Sequence, residues 1–218
     1  MKLFATILLL IVIIIYFVKM KFSFDKIEGS GNIVSEDRKL IDFQSISLLG
    51  SIDVTINYLD AASCTVVGDD NIIEHVKIEV INDKLTIFID KSYSSIKTLA
   101  VNLSVLNVNE LSVSGSGDIK FKNYTDDTLS LKISGSGDIL GDGNVESLTG
   151  KINGSGDLLL RELHSKSANI YINGSGDAEV WVSDTMAGEI NGSGDIDLYG
   201  NPKNLESKIN GSGKINSK

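Results

Sequence analysis

Hydrophobic and polar residues alternate along most of the chain beyond residue 32, in short runs that end at glycine-containing turns. Leu111-Ser112-Val113 and Leu131-Lys132-Ile133 are two such runs, and an apolar residue follows each turn at a matching position. Alternation with a period of two is typical of strands that bury one face. The runs show no helical periodicity, so the pattern predicts an all-β protein.

The turns themselves form a repeat of the type Gly-Ser-Gly-Asp, with spacings of 20, 19, 20, 18 and 19 residues. A unit of about nineteen residues is too small to bury its own apolar face, so neighbouring units must stack. We therefore predict a β-helix with one coil per repeat, regular over residues 111–218. Its glycines are expected to provide positive φ and close contact between coils; they are Gly115, Gly117, Gly135, Gly137, Gly154, Gly156, Gly174, Gly176, Gly192, Gly194, Gly211 and Gly213.

Two polar columns should run along such a stack. Ser114 and Ser134 are followed at equivalent positions by Asn153, Asn173, Asn191 and Asn210, whose amides can bond to one another along the axis. Aspartates form the second column: Asp118, Asp138, Asp157, Asp177 and Asp195. Each carboxylate is expected to accept N–H groups of its own turn, and a calcium ladder is the alternative, although six or more oxygens are hard to assemble from one turn per coil. In the last copy Lys214 replaces the aspartate, which we interpret as protection against edge-to-edge pairing.

A run of sixteen uncharged residues, 3–18, lies between Lys2 and Lys19. It is shorter than the roughly twenty residues of a typical spanning helix, but flanking lysines can snorkel to the interface. No small-x-small cleavage site follows it. We predict an uncleaved transmembrane anchor over residues 1–21, with a signal segment as the alternative, followed by a linker over 22–32 and a β-helix domain over 33–218.

Charge limits the choice of partners. The chain has 20 Lys and Arg against 29 Asp and Glu, and without Lys2, Lys19 and Lys21 the balance is 17 against 29, about −12. Such a surface repels phosphate backbones, so nucleic acid is excluded as a partner, whereas cations or neutral glycans are compatible with it. Cys64 is the only cysteine, which rules out an internal disulfide and predicts a buried thiol.

Catalytic chemistry has little support in this composition. The chain contains only His75 and His164, one cysteine and two arginines, and no metal-ligand spacing, so we expect neither an enzyme nor a cofactor. Arg161 near Asp157 is a weak resemblance to the grooves of polysaccharide lyases. Three aromatic residues, Tyr124, Trp181 and Tyr199, are candidate contacts for a glycan or protein ligand, or alternatively pack at coil corners.

The first half of the chain contains weaker versions of the turn. Gly29-Ser30-Gly31-Asn32-Ile33 and Gly50-Ser51-Ile52-Asp53-Val54 resemble degenerate copies, which indicates that the solenoid begins well before Gly115. Alternating strands lie between them and the array, and Asn82-Asp83 is a credible hairpin turn.

The order of motifs resembles the family of the putative auto-transporter adhesin, head GIN domain, over roughly Ile33 to Ile215. The residues that carry this resemblance precede the repeat array: Phe43-Gln44-Ser45-Ile46, Gly50-Ser51-Ile52-Asp53-Val54-Thr55-Ile56, Gly68-Asp69-Asp70-Asn71-Ile72-Ile73 and Lys84-Leu85-Thr86-Ile87. The resemblance implies a single-stranded right-handed β-helix of the bacterial cell envelope, related in shape to pectate lyases, and implies little about activity.

These observations together predict a membrane-anchored extracytoplasmic module that adheres to a surface, glycan or protein and is not catalytic. A periplasmic scaffold or homo-oligomerising domain is the alternative, and a polysaccharide-active enzyme is the weaker one.

Overall fold

The computed structural model describes residues 26–59, 61–97 and 99–218, which form an all-β solenoid. The predicted anchor over residues 3–18 lies outside the described residues. Among those described, no helix has the length and apolar character needed to cross a bilayer.

The elements of the first half are short. They are β1 (Ile27–Glu28), β2 (Ile33–Asp37), β3 (Ser45–Gly50), β4 (Asp53–Tyr58), β5 (Ser63–Asp69), α1 (Asp70–Ile73), β6 (Val76–Ile81), β7 (Lys84–Ile89), β8 (Tyr93–Ser94) and β9 (Ala100–Val105). The second half begins with β10 (Glu110–Gly115) and continues with long strands that bend around the coil. These are β11 (Ile119–Gly135), β12 (Ile139–Gly154), β13 (Leu158–Gly174) and β14 (Ala178–Gly192), followed by β15 (Ile196–Tyr199), β16 (Asn204–Gly211) and β17 (Ile215–Ser217).

Consecutive repeats pair in parallel with the predicted register. Gly135 lies opposite Gly154, Gly154 opposite Gly174 and Gly174 opposite Gly192, so each repeat contributes one coil. The inward positions form columns of aliphatic residues, one of which is Ile133, Ile152, Ile172 and Ile190, all fully buried. Because β-branched side chains fit a pleated buried surface, the sequence alternation and the stacking support each other.

The stack extends below the regular array, as predicted. β3 pairs in parallel with β10, so that Gly50 lies opposite Gly115, and β4 pairs in parallel with β11. One layer further down, β7 lies beside β3 and β9 beside β4, again in parallel. The solenoid therefore includes the degenerate turn at Gly50.

Antiparallel strands close this end of the stack. β6 pairs with β7 through the predicted hairpin, where Asn82 and Asp83 have φ of 51° and 60°, β5 pairs with β9, and β2 pairs with β5. Helix α1 adds two buried residues, Ile72 and Ile73. Together these elements form a cap, which repeat proteins need in order to cover the end of their core.

The loop at Gly29 is not a coil of the stack, which corrects the prediction for that motif. Asp69 accepts a hydrogen bond from the N–H of Gly31 at 2.6 Å, and Asp70 accepts one from the Ser30 hydroxyl at 2.5 Å. The loop is thus clamped against the cap by side chains of the Gly68-Asp69-Asp70-Asn71 motif. Part of the expected linker is also structured, since β1 pairs with β8.

Candidate functional site

The glycine turns allow the closest approach between coils. A Cβ placed on either glycine of any turn in the array would lie 2.0–2.4 Å from a backbone carbonyl oxygen of the preceding coil. Gly154 also has a φ of +144°, in the region that side chains disfavour. The carbonyl oxygen of Gly135 accepts N–H groups from both Ser155 and Gly156, at 2.9 and 3.2 Å. These contacts fix one coil against the next.

The aspartate column is a hydrogen-bonded ladder between coils. The Asp157 N–H donates to Oδ1 of Asp138 at 2.8 Å, and the Asp177 N–H donates to Oδ1 of Asp157 at 2.7 Å. The same bond recurs from Asp53 at the bottom to the Lys214 N–H at the top. Each carboxylate therefore accepts from the following coil and not from its own turn, which corrects the prediction. Within residues 26–59, 61–97 and 99–218 no group of three or more His, Cys, Asp or Glu is arranged to hold a metal ion.

Two substitutions of Asp138 separate the role of its acceptor oxygen from the effect of its negative charge. Asp138→Asn retains the oxygen that accepts the Asp157 N–H, so we expect a melting temperature equal to or above that of the wild type. Asp138→Ala leaves this N–H without its acceptor and should cost about 1–2 kcal/mol. Thermal melts of both variants, followed by circular dichroism, measure the difference.

The pH dependence of these melts has a defined sign. Burial raises the pKa of Asp138 above its ordinary value of 3.8, the Asp157 N–H opposes this, and the charges of Asp118 and Asp157 add to the rise. Because the pKa of Asp138 is higher in the folded than in the unfolded state, protonation of this carboxyl stabilises the fold. This stabilisation is fully present below pH 3.8 and is lost as the pH rises through the pKa of the folded state. The advantage of Asp138→Asn should therefore be largest at neutral pH and disappear in acid.

The asparagine column forms the predicted amide ladder. The Nδ2 groups of Asn173, Asn191 and Asn210 donate to the Oδ1 of the preceding asparagine, at 3.1, 3.1 and 2.8 Å. This ladder lies on a solvent-exposed corner and stabilises the vertical alignment of the coils.

A third column, which the spacing of the repeat does not predict, lies on another face. We call it the axial ladder; it consists of Thr125, Asn144, His164, Trp181 and Tyr199, which occupy one register position on five successive coils. An irregularity between Leu160 and His164 changes the offset to the next coil, so that His164 pairs with Trp181 and not with a residue twenty positions later. No local sequence signal marks this shift.

Contacts within the axial ladder fix its aromatic side chains. The rings of His164 and Trp181 are stacked, with centroids 4.3 Å apart and an interplanar angle of 22°. On the following coil Gly200 lies against the indole, since a Cβ there would be 2.9 Å from Cδ2 and Cε2. Buried Ser165 donates its hydroxyl to the carbonyl oxygen of Trp181 at 2.7 Å. Both faces of Trp181 are therefore covered, so the expected stacking of a sugar ring on this side chain is not available.

Tyr199 is restricted in a similar way, because the guanidinium carbon of Arg161 lies 4.7 Å from the centre of its ring. Arg161 thus belongs to the wall of the axial ladder. Beside Trp181 a shallow groove of about 470 Å³ runs across four coils. Asp126, Asp127 and Glu146 line it, and Lys166 pairs with Glu146 at 3.1 Å. The groove presents acidic oxygens and aromatic edges side by side.

Tyr124 is not a ligand contact, which corrects that prediction in favour of packing. Its side chain is 1% exposed and forms an edge-to-face cluster with Tyr58 and Phe121, at centroid distances of 4.9 and 6.1 Å. Its hydroxyl donates to the carbonyl oxygen of Thr128, and burial raises its pKa well above the ordinary value. Gly141 leaves the space that the Phe121 ring fills.

The side chains with catalytic potential are dispersed. Cys64 is buried, which raises the pKa of its thiol to about 11, and His75 contacts Asp90 at 3.1 Å on the cap. His164 lies in the axial ladder on a different part of the solenoid. These groups do not form a nucleophile–base arrangement with one another.

A mostly apolar pocket of about 390 Å³ lies where four connecting segments meet beside the cap. Leu40, Phe43 and Val108 are among its lining residues. Ile41 and Leu106 also line it and remain 68% and 54% exposed. Exposed aliphatic side chains around a concave surface are typical of contact sites for apolar groups.

Stacked parallel coils, glycine contacts and polar ladders define the molecule as a β-solenoid repeat protein with one capped end. The chain belongs to the family described as putative auto-transporter adhesin, head GIN domain, whose model matches residues 42–202. The family description names adhesins and no enzyme, and an adhesin-type family is associated with the cell envelope or exterior. No curated protein matches the sequence.

Several solved structures have a similar fold. A putative adhesin from Bacteroides fragilis has a TM-score of 0.70 at 19% identity, covering 88% of this chain and 100% of that one. A putative lipid binding protein from Parabacteroides distasonis has a TM-score of 0.58 at 22% identity, covering 89% and 100%. A putative adhesin from Parabacteroides merdae has a TM-score of 0.52 at 17% identity, covering 89% and 99%. At these identities the similarity establishes the fold alone.

Proposed function

We propose that the protein is a non-catalytic adhesion module that binds a protein or glycan ligand along the axial ladder. The observation that carries this proposal is the alignment of His164, Trp181 and Tyr199 beside an acidic groove, on a stack whose coils are in close backbone contact. A rigid surface loses little conformational freedom on binding, which favours affinity.

The chemistry of the axial ladder narrows the ligand class. Because the Trp181 faces are covered, contact must involve ring edges and polar groups, which suits a protein surface or the hydroxyl edges of a glycan. Asp126, Asp127 and Glu146 add acceptors for hydroxyl or ammonium donors. A polyanionic ligand such as nucleic acid would be repelled by the domain charge of about −12.

Anchoring and location form part of the same proposal. We infer that residues 3–18 span the membrane and hold a right-handed β-helix outside the cytoplasm of a bacterial cell. The support is the uncharged run between Lys2 and Lys19, together with the adhesin-type family.

Two measurements test the proposal. On intact cells, protease shaving and an antibody against a tag after Lys218 should detect the domain outside, whereas protection until the outer envelope is permeabilised would favour a periplasmic scaffold. For binding, we would probe glycan arrays and immobilised matrix proteins with the chain and with His164→Ala/Trp181→Ala. We expect at least a ten-fold loss of the bound signal for this double variant.

The matched control is Tyr171→Ala, since Tyr171 is an exposed aromatic residue on a different face, with Lys151 over its ring at 5.6 Å. It should bind within two-fold of the wild type. Equal binding by all three proteins, with unchanged melting temperatures, would rule out the axial ladder as the contact surface.

A second candidate function, binding of an amphiphile, is favoured by the apolar pocket beside the cap and accords with the description of one structural neighbour as a putative lipid binding protein. A fluorescent fatty-acid analogue should then bind the wild type and His164→Ala/Trp181→Ala equally. Ile41→Asp/Leu106→Asp should lose this binding, and its retention would exclude the pocket.

A further inference from the structure

Within residues 26–59, 61–97 and 99–218, nothing covers the core at the last described coil. Strand β16 pairs only with β14 among the described residues, and all eight of its residues are exposed. Leu205 and Ile209 are 47% and 42% exposed, although they continue inward columns whose preceding members, Met186 and Ile190, are fully buried. These two side chains thus occupy inward positions that no described residue covers.

The sequence of β16 is self-complementary about Ser207. In an antiparallel pair of two copies centred on Ser207, Leu205 faces the partner's Ile209, Glu206 faces the partner's Lys208, and Asn204 faces the partner's Asn210. Opposed residues in such a pair point to the same face of the sheet, so apolar meets apolar on the inner side and acid meets base on the outer side. The match holds at every position of the seven-residue segment 204–210.

The flanking charges are compatible with this arrangement. Lys208 already pairs with Glu189 of the coil beneath at 2.8 Å. In the dimer its ammonium group would also contact the carboxylate of the partner's Glu206. Lys203 and Lys218 are likewise paired, with Asp184 at 2.8 Å and Asp197 at 2.9 Å. Lys214 lies in the turn beyond the end of β16, so it does not block pairing along the strand.

We propose that two copies of this chain pair end to end through antiparallel contact of their β16 strands, burying Leu205 and Ile209 in a continuous core. The two-fold axis passes between the two Ser207 residues. Because the opposite end of each stack is closed by the cap, the assembly ends at two copies and does not extend into a fibre. The proposal does not depend on the ligand of the axial ladder.

Disulfide cross-linking tests the register directly. Ser207→Cys places two thiols opposite each other across the axis, at the Cα separation of about 4.5–5.5 Å that both an antiparallel pair and a disulfide require. Oxidation of cells that express the untagged full chain should convert most of it to a species of twice the 23.5 kDa monomer mass. The wild type should not cross-link, because Cys64 is buried.

Two further variants exclude random collision. Glu206→Cys alone should cross-link at least ten-fold less than a co-expressed mixture of Glu206→Cys and Lys208→Cys, because only the mixed pair is in register. Adding Glu206→Lys to Ser207→Cys should reduce the dimer at least ten-fold, since it places a lysine opposite the partner's Lys208. Glu110→Lys, the same charge change on an internal coil, should have no effect. Monomer under all conditions, or equal cross-linking by every variant, would overturn the proposal.

Discussion

Replacing Gly156 with valine should lower the free energy of unfolding by about 4 kcal/mol or more, within the range of changes that break a structural element. A Cβ at this position would lie 2.1 Å from the carbonyl oxygen of Gly137, and the obstacle is backbone, which cannot rotate away. Relief requires the two coils to separate, and separation breaks the N–H bond from Gly156 to Gly135 as well. For a chain of this size the melting temperature should fall by roughly 8–16 °C.

Ser155→Val is the matched control for this change. Ser155 is the neighbouring residue of the same turn, but it is exposed, so the same β-branched side chain meets solvent and not the preceding coil. We would compare the two variants by circular dichroism melts of the full chain in mild detergent. Their melting temperatures should differ by most of the fall predicted for Gly156→Val. If Gly156→Val, Ser155→Val and the wild type have the same melting temperature, the close contact between coils does not hold the stack together.

Tyr124→Ala should cost about 3–5 kcal/mol, as expected when a fully buried aromatic side chain is truncated. The ring packs edge-to-face against Tyr58 and Phe121, and Tyr58 lies on β4 whereas Phe121 lies on β11. The cluster therefore joins the first half of the chain to the regular array. Its loss should weaken this junction more than the distant coils, which denaturant unfolding combined with hydrogen exchange of the β4 and β14 amides measures.

Tyr124→Phe retains the ring and removes only the hydroxyl that donates to Thr128. We expect a cost of about 1 kcal/mol, the net contribution of one hydrogen bond, because the Thr128 carbonyl loses its donor while Thr128 itself is exposed. Ligand binding on glycan or protein arrays should not change in this variant, since Tyr124 is inaccessible. A selective loss of binding at unchanged stability would return Tyr124 to the list of contact residues.

The sequence alone was sufficient for the regular coils. Gly-Ser-Gly-Asp turns at near-constant spacing predicted one coil per repeat, the glycine contacts and the asparagine ladder, because each depends on identical residues recurring at one register position. The turn at Gly50 was recognised for the same reason. Apart from the hairpin at Asn82-Asp83, the cap was not predicted, since its other antiparallel strands and helix α1 occur once and have no repeat to reveal them.

What the sequence determined about this protein is its class: an all-β solenoid with acidic character, stacked on glycines, from a family of adhesin type. The tertiary structure decided which side chains meet. It placed Tyr124 in the core, moved each aspartate bond to the following coil, and aligned His164 with Trp181 through a register shift. The physical reason is that stacking depends on the number of residues each coil uses to close its circuit, and irregular corners change that number without any local sign in the sequence.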